Sequence, residues 1–152
     1  MKETLASAAG HAEIVRRIEA LTPASQRLWG SMSVGGMVCH LYDAYRVPLG
    51  EVAVKPVKVP APRSAMKYLA LQISQPWPKN VQTPIEVRQG GGGTVPSDFA
   101  ADKARLLDSL ERFCTCPDLA RVEHAFFGAM SQEDWMRWGY LHADHHLRQF
   151  SA

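Results

Sequence analysis

Two histidines near the end of the chain constrain its fold more than any other feature of the sequence. They stand in YLHADHHLRQF, residues 140–150, as His142 and His146. On a helix with about 3.6 residues per turn, they share a direction with Trp135 and Gly139. Side chains four residues apart lie one above the other on the same helical face. The pattern therefore predicts a final helix whose buried face carries two imidazole rings.

Two buried imidazoles point to a metal site. Burying them among apolar side chains costs free energy unless each ring nitrogen has a partner. One divalent metal would serve both rings, and histidines at this helical spacing are a known zinc-binding arrangement. The third ligand must come from elsewhere, and His40 is the candidate because it lies in an apolar helical stripe with Met37, Leu41 and Ala44. Taken alone, His40 also fits a hydrogen-bonded core histidine.

The other three histidines carry weaker signals. His145 lies about 60° from His142 on the helical wheel, at the shoulder of the buried face. His11 stands in a weakly patterned region and is expected at the surface. His124, shortly before the last helix, is a candidate for lining a pocket.

Polar residues near the three candidate ligands could support them. Asp43 comes one helical turn after His40, and Gln149 comes three residues after His146. Metal-bound histidines usually donate their second ring N–H to such a group, so both residues are candidate hydrogen-bond partners. Cys39 points about 100° away from His40 and is not expected to act as a nucleophile.

Capping signals and apolar periodicity predict several helices. The predicted helices are one at 12–20, one capped by Ser33 and ended by Pro48 and Gly50, one at about 63–73 with Leu69, Ala70 and Ile73 inward, one capped by Ser97, and a last one opened by a capping box of Ser131 and Asp134. No stretch alternates for long enough to predict a strand. We therefore expect an all-α fold, with residues 1–152 forming a single domain.

Two long connectors separate these helices. Residues 51–62 contain KPVKVPAP and are expected to be extended rather than helical. Residues 74–96 are rich in proline and glycine, and we expect them to act as a mobile cover over the metal pocket. Their run Gly90–Gly93 lacks the G-K-[ST] sequence of a phosphate-binding loop and is predicted to be a flexible joint.

Composition and charge exclude several classes of function. The 152 residues are 46% hydrophobic and 21% charged, as in ordinary globular proteins. The formal net charge is only +2 and no Lys/Arg run concentrates it, so no nucleic-acid partner is expected. No apolar stretch approaches the roughly 20 residues of a membrane-spanning helix. The three cysteines cannot all pair, which predicts reduced thiols, with Cys114 and Cys116 near a helix end, and a cytoplasmic location.

Three segments carry a resemblance to a known family. RLWGSMSVGGMVCHLYDAYRVPLGE (28–51), PWPKNVQTPIEV (76–87) and HAFFGAMSQEDWMRWGYLHADHHLRQF (124–150) resemble the DinB-like superfamily, and more narrowly a bacterial branch of it carried as a domain of unknown function. The resemblance implies a four-helix bundle, here with long irregular connectors. It also implies one divalent metal bound by His40, His142 and His146. Zinc suits three imidazoles best, and nickel, iron and manganese stay open.

The same resemblance bears on activity. It implies a metal-dependent transferase that acts with a low-molecular-weight thiol such as mycothiol or bacillithiol, on a small-molecule substrate. A metal-dependent hydrolase and a non-catalytic metal- or ligand-binding stress protein are the alternatives, and a homodimer stays open. Better-characterised members read H-x-x-H-H-R-G-Q where this chain reads H-A-D-H-H-L-R-Q, so the substrate does not carry over. Three neutral ligands would leave open coordination positions, as in catalytic rather than structural metal sites.

Overall fold

The computed structural model describes residues 2–73 and 75–152. Within these residues the chain forms five α-helices and no strand, which confirms the all-α prediction. The helices are α1 (Ala8–Ala20), α2 (Val34–Arg46), α3 (Arg63–Gln72), α4 (Phe99–Thr115) and α5 (Gln132–Leu147), with 3₁₀ turns at Ile85–Val87 and Arg148–Phe150. None of these helices combines the length and the hydropathy that a segment crossing a bilayer requires.

Side-chain caps set the starts of the two helices that carry the candidate ligands. The Ser33 hydroxyl accepts a hydrogen bond from an amide in the first turn of α2, as predicted. The capping box is also confirmed, because Ser131 and Asp134 bond to each other's backbone amides at the start of α5. Helix α1 begins four residues earlier than the apolar pattern indicated, after an N-cap at Ser7.

The predicted cap of α4 is wrong by one residue. Asp98 is the N-cap, and its carboxylate accepts from the Ala101 amide at 2.8 Å. Ser97 instead lies outside the helix and donates its backbone N–H to Asp102 at 2.8 Å. Asp102 is buried and also pairs with Arg105, so this network fixes the loop that enters α4.

One hydrophobic core joins the helices. Helix α2 packs against α4 and α5, and α1 packs against the same two helices. The large side chains that are fully buried include Ile14, Ile18, Met37, Leu41, Tyr45, Leu106, Leu110, Phe113 and Trp135. These contacts hold α2 and α5 side by side, which brings their histidines to a common level. The finer prediction, a four-helix bundle of the DinB-like type, stays a prediction.

Helix α3 lies outside this arrangement and packs on α5. Its fully buried residue is Leu71, whereas the predicted inward residue Leu69 is 62% exposed. The prediction failed because α3 places its apolar side chains in two directions. Leu71 enters the core, and Leu69, Ala70 and Ile73 line a cavity beside the histidines.

The two connectors are irregular, as predicted, and both are held by specific contacts. Residues 51–62 contain no helix or strand, and Arg63 donates to the carbonyls of Val57 and Ala125. In the second connector, the amides of Gly91 and Gly93 bond to the Arg88 carbonyl.

Three glycines of the run, Gly91 to Gly93, are closely packed. A Cβ on Gly92 would lie 2.9 Å from the Glu86 carbonyl oxygen, and one on Gly93 would lie 2.8 Å from that of Arg88. Glycine is therefore required at Gly92 and Gly93 for close approach of the backbone, and the flexibility of the run stays a prediction.

Candidate metal centre

Three imidazole rings meet between α2 and α5. His40 projects from the middle of α2, and His142 and His146 project from the last two turns of α5. The Nε2 atom of His142 lies 3.2 Å from Nε2 of His40 and 3.2 Å from Nε2 of His146. Ligand atoms of all three rings lie within 4.8 Å of one another. The structure thus brings together the three residues that the sequence selected, and this cluster could hold a metal ion.

Gln149 fixes the orientation of one ring. Its Oε1 lies 2.6 Å from Nδ1 of His146. An amide oxygen can only accept, so the proton of neutral His146 is on Nδ1 and its Nε2 presents a bare lone pair. Gln149 is therefore a hydrogen-bond partner of a candidate ligand, as predicted.

His142 lies at the centre of the cluster and is incompletely partnered. Its ring stacks on Trp138, with centroids 4.7 Å apart, and its Nδ1 is buried with no hydrogen-bond partner among the described residues. Nε2 of His142 carries at most one N–H, which cannot donate well to the Nε2 atoms of both His40 and His146. With the proton on Nδ1, three bare nitrogens would face one another, and with the proton on Nε2, Nδ1 would stay unpaired.

A divalent cation fits this donor set. Zinc binds imidazole nitrogens at about 2.0–2.1 Å, so two ligands in tetrahedral geometry lie about 3.3 Å apart. The two 3.2 Å separations around His142 are close to that value. Among the described residues, no carboxylate oxygen and no cysteine sulfur joins the three nitrogen donors of the cluster. This set suits zinc, nickel or iron better than magnesium or calcium.

Burial keeps the three imidazoles neutral, which is the form that binds metal. It is the main cause that lowers the pKa of His40, and it lowers the pKa of His142 and His146 well below the ordinary value. Repulsion between the rings in their charged forms lowers the pKa of His142 further. A hydrogen bond with the Val87 backbone raises the pKa of His40 and so opposes the effect of burial on this residue.

Asp43 does not support the cluster in the way predicted. Asp43 is 3% exposed, and its carboxylate accepts from the backbone N–H and the hydroxyl of Thr94, both at 2.6 Å. Arg46 pairs with it at 3.4 Å. Asp43 therefore ties the end of the second connector to α2. The sequence placed it one turn from His40 but gave no sign of a partner 51 residues away.

The three histidines open onto a cavity of about 710 Å³. Its wall is aromatic and aliphatic, with a minority of amide and hydroxyl groups. The aromatic residues in the wall are Trp29, Trp77, Phe126, Phe127, Trp135 and Trp138. Among the described residues, no aspartate, glutamate or cysteine lines it. Cys39 is buried elsewhere, beside Asp102, and burial raises the pKa of its thiol to about 12.

The sequence profile of one protein family, described as "Protein of unknown function (DUF1569)", matches residues 12–152. The chain belongs to the DUF1569 family. The match spans both histidine-bearing helices and the whole cavity wall, so the cluster lies within the DUF1569 region. No curated protein and no solved structure gives a significant match to the chain.

The second connector of this DUF1569 domain covers the cavity. Residues from Gln75 to Gln89 form much of the wall, and the Trp77 ring lies 6.1 Å from those of His142 and His145. Its indole N–H donates to the Ala70 carbonyl at 2.9 Å, which joins the connector to α3. The predicted cover thus lies on the histidine side of the fold. Its mobility stays a prediction, and Ser74, part of the predicted segment, lies outside the described residues.

The remaining histidines lie close to the positions predicted. His145 lines the cavity and meets the Trp29 ring edge-on at 5.0 Å. His124 also lines it, stacked on Phe127 with centroids 4.4 Å apart. His11 is away from the cavity and pairs with Glu111 at 2.7 Å.

The sequence placed Trp77 and Arg88 within the predicted cover but did not single them out, and it gave no prediction for Trp29. All three stand in irregular segments, where no helical period indicates direction. A tryptophan side chain in a loop is usually buried against other groups because of its large apolar surface. The presence of Trp29 and Trp77 in two irregular segments was therefore the signal that these segments pack on the fold.

Proposed function

We propose that this protein is a metal-dependent transferase that joins a low-molecular-weight thiol to an apolar electrophile. The observation that carries the proposal is the convergence of three imidazole Nε2 atoms on the wall of a largely apolar cavity of about 710 Å³. A cavity of this volume accommodates a small molecule. Because the cavity contacts all three histidines, a metal bound by them would keep coordination positions that a ligand in the cavity could reach, as catalysis requires.

The composition of the wall favours a thiol over water as the nucleophile. A bound dication lowers the pKa of a coordinated thiol enough for the thiolate to form at neutral pH. Hydrolytic zinc sites commonly add a glutamate as general base. Here no carboxylate lines the cavity within the described residues. Thiol activation is compatible with that absence, because it needs no protein base.

The chain's own residues would orient the ligands and exclude water. Gln149 fixes the tautomer of His146, and the Trp138 ring supports that of His142. The aromatic wall would hold an apolar electrophile against the cluster. In the transfer, a sulfur–carbon bond forms while the bond from that carbon to the leaving group breaks. The leaving group takes the electron pair, and the thiol proton passes to solvent.

Hydrolysis is the second candidate. His145 favours it, because this half-buried imidazole lies beside His146, with ring centroids 5.1 Å apart, and could accept a proton from water. A binding protein without catalytic activity is the third. The open cavity supports an enzyme more than a sealed binding site.

The experiment compares thiols on the metal-loaded protein. Metal content is first measured by plasma mass spectrometry. The protein then receives monochlorobimane with glutathione, bacillithiol or mycothiol, and conjugate fluorescence is followed. We expect acceleration with at least one thiol, its loss in His142→Ala and its retention in His11→Ala, which alters a histidine outside the cavity. Metal-dependent ester or amide cleavage without conjugation would assign a hydrolase, and neither activity would assign a binding protein.

A further inference from the structure

We infer that the apolar ligand of this cavity carries a carboxylate, which Arg88 binds. The role of this ligand as a substrate rests on the proposed function. The binding of an apolar anion does not itself require a metal or a reaction. Three properties of the wall carry it: its apolar surface, its charge and the fixed position of one guanidinium group.

Apolar surface continues from inside the cavity to its rim. Trp77 and Trp138 lie beside His142, and the wall is mainly aromatic and aliphatic. Two other wall residues, Leu69 and Val81, are 62% and 58% exposed. Exposed apolar side chains that border a concave apolar surface are typical of a ligand-binding site. A hydrocarbon or aromatic body is the complement of this wall.

The fixed charge of the wall is positive. Within the described residues Arg88 is the one charged side chain of Asp, Glu, Lys or Arg type that lines the cavity. Lys79 adds a second cation nearby, with Nζ 5.0 Å from the centre of the Trp29 ring. With no carboxylate in the described part of the wall to neutralise this charge, a cationic ligand would be repelled and an anionic one attracted.

The guanidinium of Arg88 is held in place with donors to spare. Its Nε and Nη2 donate to the Thr83 carbonyl at 2.9 and 2.7 Å, and Nη1 has no acceptor among the described residues. The Thr83 contact fixes the plane of the group before a ligand arrives. A planar guanidinium with free N–H groups matches a carboxylate, because two parallel hydrogen bonds can form.

The test uses two probes of nearly the same size and shape, one an anion and the other neutral. The affinities of 2-naphthoate and 2-naphthamide are measured by calorimetry on protein stripped with EDTA, so that no metal binds the carboxylate. We expect the wild type to bind the naphthoate about tenfold more tightly, the effect of one charge-assisted hydrogen bond in a partly buried site. Arg88→Gln should abolish this preference, and Arg88→Lys should keep part of it.

Arg121→Gln is the matched control. Arg121 also donates to a backbone carbonyl, that of Leu49 at 2.8 Å, but it does not line this cavity. Equal affinities in the wild type, an unchanged preference in Arg88→Gln or no binding of either probe would overturn the inference. A further competitor is S-methylglutathione, a glutathione analogue without a free thiol. Its displacement of naphthoate from the wild type but not from Arg88→Lys would also overturn the inference, because Arg88 would then bind a carboxylate of the thiol cosubstrate rather than of the apolar ligand. If the protein prefers naphthoate but does not accelerate bimane conjugation, the proposed transferase activity is rejected and the anion-binding site is retained.

Discussion

Gln149 Oε1 lies 2.6 Å from His146 Nδ1, and this bond decides which nitrogen of His146 faces the other two imidazoles. Without it, the proton of His146 could move to Nε2 and block the lone pair. Gln149 is itself 5% exposed, so packing holds its amide in place. The orientation of the cluster therefore depends on a residue that need not touch a metal.

The Gln149→Met variant tests this dependence. Methionine keeps the approximate volume but cannot accept the N–H, so we expect zinc affinity to fall about 10- to 100-fold. Competition with a chromophoric chelator measures the change. Gln132→Met is the comparison, because the Gln132 amide bonds to the backbone of Leu119 and Cys116 and does not line the cavity. A Gln149→Met protein with wild-type zinc affinity would show that the bond is structural only.

Metal content should depend on each of the three clustered histidines. We expect one divalent ion per chain in the wild type and loss of that ion in His40→Ala, His142→Ala and His146→Ala, because each would remove one of three donors. His11→Ala should retain the ion. Plasma mass spectrometry of dialysed protein measures the stoichiometry. Full occupancy after His142→Ala would exclude the proposed centre, since both 3.2 Å contacts involve this ring.

Local signals explain why the sequence predicted the cluster. The spacing of His142 and His146 and the apolar stripe around His40 depend on helical geometry alone, as do the caps at Ser33 and Ser131. These features need no knowledge of the tertiary fold. The packing of α2 against α5 is a tertiary contact, which these local signals do not contain.

Tertiary contacts explain what the sequence did not predict. Asp43 bonds to Thr94, far along the chain, and Trp29 and Arg88 reach the cavity from irregular segments. No period governs such segments, so their directions follow from the fold rather than from spacing. The close packing of Gly92 against Glu86 is equally invisible in a run of four glycines.

The stability of the metal-free protein should fall as the pH falls below about 6.5. Burial lowers the pKa of His124 to about 3, while in the unfolded chain a histidine titrates near 6.5. Between these values the unfolded state binds a proton that the folded state does not. The free energy of unfolding therefore decreases by up to about 1.4 kcal/mol per pH unit for such a residue. Its contribution is complete above pH 6.5 and lost by about pH 3.

Urea unfolding of EDTA-treated protein between pH 6.5 and 5 checks the slope. His124→Asn keeps an acceptor for the Phe126 and Phe127 amides, which now bond to Nδ1 at 3.2 and 3.3 Å. In this variant the free energy of unfolding should fall less steeply with decreasing pH, because the contribution of one histidine is removed. An identical slope in His124→Asn would mean that His124 is protonated to the same extent in the folded and unfolded states, which would contradict the lowered pKa.

The bond between Thr94 and Asp43 should control how firmly the second connector covers the cavity. Thr94→Val removes the hydroxyl donor and leaves a carboxylate oxygen of a nearly buried aspartate poorly partnered, at a cost of about 1–3 kcal/mol. We expect faster amide hydrogen exchange across residues 75–96 and little change in α1. Thr115→Val is the control, because its hydroxyl bonds to carbonyls of its own helix at the surface. Faster exchange throughout the chain would indicate global destabilisation, and unchanged exchange in residues 75–96 would show that the cover does not depend on this bond.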